Sequence, residues 1–149
     1  MIKLCVALAL IGCTVRAETS KRLRDITTVR FRVGDVWDYR TRPGEGNSTL
    51  TILKIEYSSI GVIIHIAVGK LTWRDCRNER FEQTLPHMRF ALRAIEGSVV
   101  ARVASGRKLP EFQEGYRYWL KDNGGVYTIS VREAVEVAET TWRSGIGCK

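Results

Sequence analysis

The chain has 149 residues, 24 basic against 16 acidic for a formal net charge of +8, and 44% hydrophobic residues. That length is ordinary for one domain with a sizeable core, and a mean hydropathy of −0.14 excludes a polytopic membrane protein or a disordered chain.

The N-terminus reads as an export signal. Met1-Ile2-Lys3 is a short positive segment, and Leu4 to Gly12 is an apolar run too short to span a bilayer. Two processing routes fit: cleavage after Ala17, or a lipobox-like Leu10-Ile11-Gly12-Cys13 in which Cys13 is lipidated and becomes the first residue. The expected organisation is therefore a signal over 1–17 (or 1–12 before a lipidated Cys13), a flexible basic arm over 18–27, and one globular domain over 28–149. Either route places the protein in the periplasm or on a membrane as a lipoprotein. Processing leaves Cys76 and Cys148, and an exported chain with two cysteines is expected to pair them.

In chain order, Thr28 to Arg32 alternates as a short strand or edge. Three strands follow, around Gly34 to Arg42, Ser48 to Tyr57 and Gly61 to Leu71, separated by the turn-rich Pro43–Asn47 and Ser58–Gly61. In the first, Trp37, Tyr39 and Thr41 share one face, and Asp38, Arg40 and Arg42 the other. The second slips: Leu50 and Ile52 lie on one face but Leu53, Ile55 and Tyr57 on the other, as a bulge or burial on both faces would produce. The third is apolar enough to be the central strand.

Leu71 to Met88 follows neither period and reads as a long loop held by the disulfide. Met88, Leu92, Ile95, Val99 and Val103 share a helical face, with Val99-Val100-Ala101 as an alternative strand. A second helix is predicted from Pro110 to Leu120, stopped by Asn123-Gly124-Gly125. After a short strand, Val126 to Ile129, Ser130 and Glu133 form a capping box opening a third helix with Val131, Ala134, Val135, Ala138 and Trp142 inward. The expected fold is α+β: an antiparallel meander of three to four strands with two or three amphipathic helices packed on one face.

The chemistry offered is sparse. The histidines are His65, read as an ordinary strand residue, and His87, in Leu85-Pro86-His87-Met88; no zinc, nucleotide, redox or hydrolase motif surrounds them. No cofactor or metal is expected. Arginines are more promising: Arg30, Arg32, Arg40 and Arg42 as a basic sheet face, and Arg74, Arg77 and Arg80 as a second patch, both suited to phosphate or carboxylate. Against them, Glu133, Glu136 and Glu139 form an acidic stripe on the last helix that would satisfy the basic face internally.

Gly34 to Glu56, GDVWDYRTRPGEGNSTLTILKIE, resembles an opening found in small exported bacterial proteins. The resemblance implies a bacterial envelope origin and carries no catalytic residue with it.

The expected function is a non-enzymatic binding module of the cell envelope, of inhibitor or immunity type. Its partner would be an acidic protein or an anionic envelope surface rather than nucleic acid, with membrane attachment only through a lipid at Cys13. Two alternatives stand beside it: a small envelope hydrolase using His87 with a nearby carboxylate, and a structural lipoprotein contacting anionic lipid.

Overall fold

The computed structural model describes residues 23–148. The expected signal, the cleavage sites and Cys13 lie outside these residues. Nine elements follow in order: β1 (Arg24–Asp25), β2 (Val36–Tyr39), β3 (Thr49–Ser58), β4 (Gly61–Arg74), β5 (Arg80–Ala91), α1 (Leu92–Ser98), β6 (Val99–Ala104), α2 (Gln113–Lys121) and α3 (Val131–Gly145).

The fold is α+β, as expected, but the sheet has six strands rather than three or four. Its order is β5-β4-β3-β2-β6, with β1 beside the far end of β3, and every strand pair is antiparallel. The helices also divide between the faces. α1 and α3 bury Ile95, Val131, Ala134 and Val135 against Trp37, Leu50, Ile52, Ile64, Ile66 and Phe90. α2 lies on the other face, where a small cluster gathers Leu53, Ala67 and Phe112 with Leu109 and Tyr116 at its margin.

Two segments differ from their sequence reading. Leu71 to Met88 is the outer half of a long hairpin rather than a loop. Its turn is built by Asp75, whose carboxylate accepts the backbone N–H groups of Arg77 and Glu79, while Asn78 takes a positive φ of 67°. Two register shifts between β4 and β5 break the alternation that would have revealed the strands. One sits at Lys70, whose φ is 54°, and the other at Pro86-His87; as an edge strand, β5 tolerates a residue without an amide donor. Met88 to Val103, in turn, is not one helix. Met88 and Phe90 finish β5, α1 makes two turns, and β6 pairs with β2 at the opposite edge. Its helical spacing is real only between Leu92 and Ser98, and pairing with β2 overrides it afterwards.

Other expectations hold. Ser130 accepts the Glu133 amide at 3.2 Å while Glu133 accepts the Ser130 amide at 2.9 Å, so the capping box opens α3 as predicted. Cys76 and Cys148 are disulfide-bonded with Cα atoms 5.0 Å apart, fixing the end of the chain to the β4–β5 turn. Arg143 reinforces the junction by donating to the Arg74 and Asp75 carbonyls at 2.9 and 2.7 Å. Within the expected basic arm, Leu23 to Thr27 does not extend from the domain: Arg24 and Asp25 pair with Tyr57 and Glu56.

Candidate functional site

The α2 face holds a row of polar side chains where the opposite face is almost wholly apolar. The bulge at Leu53 makes this possible. Leu50 and Ile52 pack on the α1/α3 face; β3 then inserts one residue before Lys54 pairs with His65. A one-residue offset moves all later side chains to the other face, so Ile55 returns to the main core and Lys54 and Glu56 turn toward α2. His65 projects from β4 to the same side. On β5, the shift at Pro86-His87 brings the His87 ring alongside.

The resulting chain is continuous. Glu56 Oε2 lies 3.0 Å from His65 Nε2, and His65 Nδ1 lies 2.9 Å from His87 Nε2. The Tyr116 hydroxyl donates to Glu56 Oε1 at 2.6 Å; Lys54 Nζ stands 3.4 Å from the same oxygen and also bonds Asp25. Five elements contribute: β1, β3, β4, β5 and α2. His65 is fully buried, Glu56 is 2% exposed, and His87 is half-buried.

Proton bookkeeping constrains the row. With Glu56 Oε2 as the acceptor, His65 carries its proton on Nε2 and presents a bare Nδ1, which then accepts from His87 Nε2–H. Only one proton fits between the two rings at 2.9 Å. Burial holds both imidazoles neutral, pushing each from 6.5 down to about 4; Lys54 and Arg89 add to the effect at His65, and His65 and Arg89 at His87. Burial and the bond to Glu56 raise the Tyr116 hydroxyl well above its ordinary value, so it stays a donor.

α2 is fitted to this row. The Trp119 ring meets His65 edge-on at 5.0 Å, Tyr116 does so at 5.3 Å, and Phe112 stacks 6.3 Å from His87. A glycine inside a helix costs about 1 kcal/mol relative to alanine, and Gly115 shows what that sacrifice allows. A Cβ there would sit 2.9 Å from His87 Cβ, so only glycine lets the helix approach the His87 ring this closely. Gly124 lies so close to Trp119 that a Cβ would fall 2.3 Å from Cδ1, while Trp119 Nε1–H donates to the Gly125 carbonyl at 3.1 Å. A groove of about 300 Å³ beside the row is lined by Lys54, Leu53, Phe112 and Tyr116.

The arginines have separate fates. β2 ends at Tyr39, so Arg40 and Arg42 do not continue one strand face. Arg42 turns toward α3 and is almost buried, donating to Glu45 at 2.6 and 3.0 Å, to Glu136 at 2.9 Å and to Glu139 at 2.6 Å. These bonds, chiefly those to Glu45, hold its guanidinium charged. Glu136 and Glu139 of the acidic stripe therefore take Arg42 internally, while Glu133 caps its own helix. Arg74 and Arg80 pair across the hairpin and border a mixed-charge cleft of about 440 Å³ with Arg42, Arg143 and the same glutamates. Arg77 is exposed on the turn, Arg40 donates to the Gly97 carbonyl, and Arg30 lies over the Phe31 and Trp37 rings at 5.3 and 5.6 Å. Arg32 is exposed.

Sequence reasoning named His87 and looked for a carboxylate near it; it missed that His65 links His87 to Glu56, and it passed over Lys54 and Tyr116. The available signal was the slip between Ile52 and Leu53. Followed as a bulge, it puts Glu56 on the face of His65. Neither a protein-family model, nor a curated protein, nor a solved structure matches this chain.

Proposed function

We propose that this is a small exported cell-envelope protein that works by binding, with the α2 face as its working face and the Glu56–His65–His87 row governing whether α2 is seated. One observation carries this reading: two imidazoles 2.9 Å apart, one of them fully buried, lie beneath a helix that contributes a hydroxyl to their carboxylate. A buried polar row is costly where apolar residues would serve, which favours a use beyond stability. His87 can take an acid proton on its outer Nδ1, but His65 can take one only on Nδ1, between rings that have room for one. The charged groups around them are Glu56 and Lys54 on β3, Asp25 on β1 and Arg89 on β5, with Tyr116 from α2. Repulsion then falls on the contacts that seat α2, and releasing the helix bares Leu53 and Ala67. A module that occludes a partner, of inhibitor or immunity type, fits a surface that can be covered and uncovered.

The test is binding of a hydrophobic dye between pH 7 and 4.5, followed alongside far-ultraviolet circular dichroism. Dye fluorescence is expected to rise while most secondary structure persists, and the paired variant His65→Gln/His87→Gln should remove the rise. Dye binding that follows loss of the whole fold would defeat the reading.

A second reading rests on the order carboxylate–imidazole–imidazole, a relay able to make His87 a base for hydrolysis. It is the weaker because Nε2 of His87 is spent on His65. His87→Ala abolishing turnover of an ester or peptide substrate, with the fold retained, would establish it over binding.

A further inference from the structure

Two segments distant in sequence meet at a pair of glycine turns. The Arg107 amide donates to the Gly34 carbonyl at 3.1 Å, and a Cβ on Gly34, whose φ is 87°, would approach the Arg107 carbonyl to 3.1 Å. Asp35 ties the same junction from within. It is 1% exposed and accepts the Arg32 amide at 3.1 Å and the Ser105 hydroxyl at 2.8 Å, with Arg102 3.7 Å away.

Segments 26–34 and 99–110 contain five cations, Arg30, Arg32, Arg102, Arg107 and Lys108, and no acid. All five are exposed, and among the described residues only Arg102 has a carboxylate within 4 Å. The same two segments expose apolar side chains: Val29 is fully exposed, and Val33 and Val103 are about half exposed.

We propose that these joined turns are a docking surface for an anionic lipid bilayer. Five exposed cations around one buried acid, Asp35, leave an excess of positive charge that complements a sheet of phosphate head groups. Exposed short aliphatic side chains in the same segments as the cations suit the boundary between head groups and acyl chains, where buried apolar area adds to the charge attraction. An acidic polypeptide of carboxylates alone would meet the same cations but would offer Val29 no apolar counterpart. The inference rests on the envelope placement proposed above and not on the behaviour of α2, so either can fail alone.

The test is cosedimentation of residues 18–149, the product of cleavage after Ala17 and free of signal and lipid anchor, with vesicles of phosphatidylcholine alone or with added phosphatidylglycerol. Binding is expected only with the anionic lipid. Changing Arg30, Arg32, Arg102, Arg107 and Lys108 to Gln should weaken it at least tenfold, whereas Arg77, Arg93, Arg117, Lys121 and Arg132 changed to Gln remove as much charge and should leave most of it. Val29→Ser/Val33→Ser should lower the fraction that survives raised salt. Equal loss in the two charge variants, or equal binding to neutral vesicles, overturns the proposal. Capture by immobilised polyglutamate without any binding to anionic vesicles reassigns the patch to an acidic protein.

Discussion

The two faces of one sheet are built on opposite principles. Under α1 and α3, strand alternation delivers an apolar layer, and Arg42 enters its margin only with three glutamates arranged around it. Under α2, a bulge delivers Glu56 and Lys54 to the side of His65, and a nine-residue helix with no side-chain cap at its start closes over them. The cation of the first arrangement is a guanidinium, which stays charged at any ordinary pH. The second depends on imidazoles that burial keeps neutral. Stability therefore belongs mainly to one face, and responsiveness to the other.

Several changes would break or sharpen that contrast. The largest effect is expected at Arg42. Arg42→Met leaves Glu45, 4% exposed, and Glu139 without their partner, and removing one member of a buried pair costs about 3–5 kcal/mol. Urea unfolding should show this loss at pH 7. Removing the disulfide with Cys76→Ser/Cys148→Ser comes next: its 72-residue separation sets a ceiling of about 4 kcal/mol. Arg143 still holds the helix end, so the loss should fall below that ceiling in the same assay.

The α2 face should give a pH signature of its own. Because both imidazoles have folded values near 4, below the ordinary 6.5, the unfolded chain takes up protons first as the pH falls. Stability is full above pH 6.5 and declines toward pH 4, by about 3 kcal/mol for His65 alone at about 1.4 kcal/mol per unit. Denaturation midpoints across that range should fall in the native chain and flatten in His65→Gln/His87→Gln. The smallest and most diagnostic pair is Gly115→Ala against Gly97→Ala. Each replaces a helical glycine, and alanine is intrinsically favoured by about 1 kcal/mol. Gly97 has open space around it and should gain stability; Gly115 meets His87 and should lose it.

Legibility in the sequence followed the same division. The apolar face was readable, since Trp37, Tyr39, Ile64 and Ile66 keep a strict period of two and Val131, Ala134 and Val135 a helical one. The capping box and the cysteine pair were readable because each is a local or compositional rule. β5 was hidden by the register shifts around Lys70 and Pro86, and β6 by apolar spacing that also suits a helix. The site was hidden for a related reason. Glu56, nine positions from His65 and 60 from Tyr116, joins them only through strand register and the fold-back of α2. The arginine row is divided because β2 ends at Tyr39, which frees Arg42 to turn toward α3.

The most direct test of a proton-governed helix is amide hydrogen exchange at pH 7 and pH 4.5, corrected for intrinsic rates and compared between α2 and α3. Protection over residues 113–121 should fall at least tenfold at the lower pH, about 1.4 kcal/mol of local stability. Protection over 131–145 should change far less, and the loss in α2 should vanish in His65→Gln/His87→Gln. Equal loss in both helices, or an α2 whose protection ignores the two histidines, would contradict it.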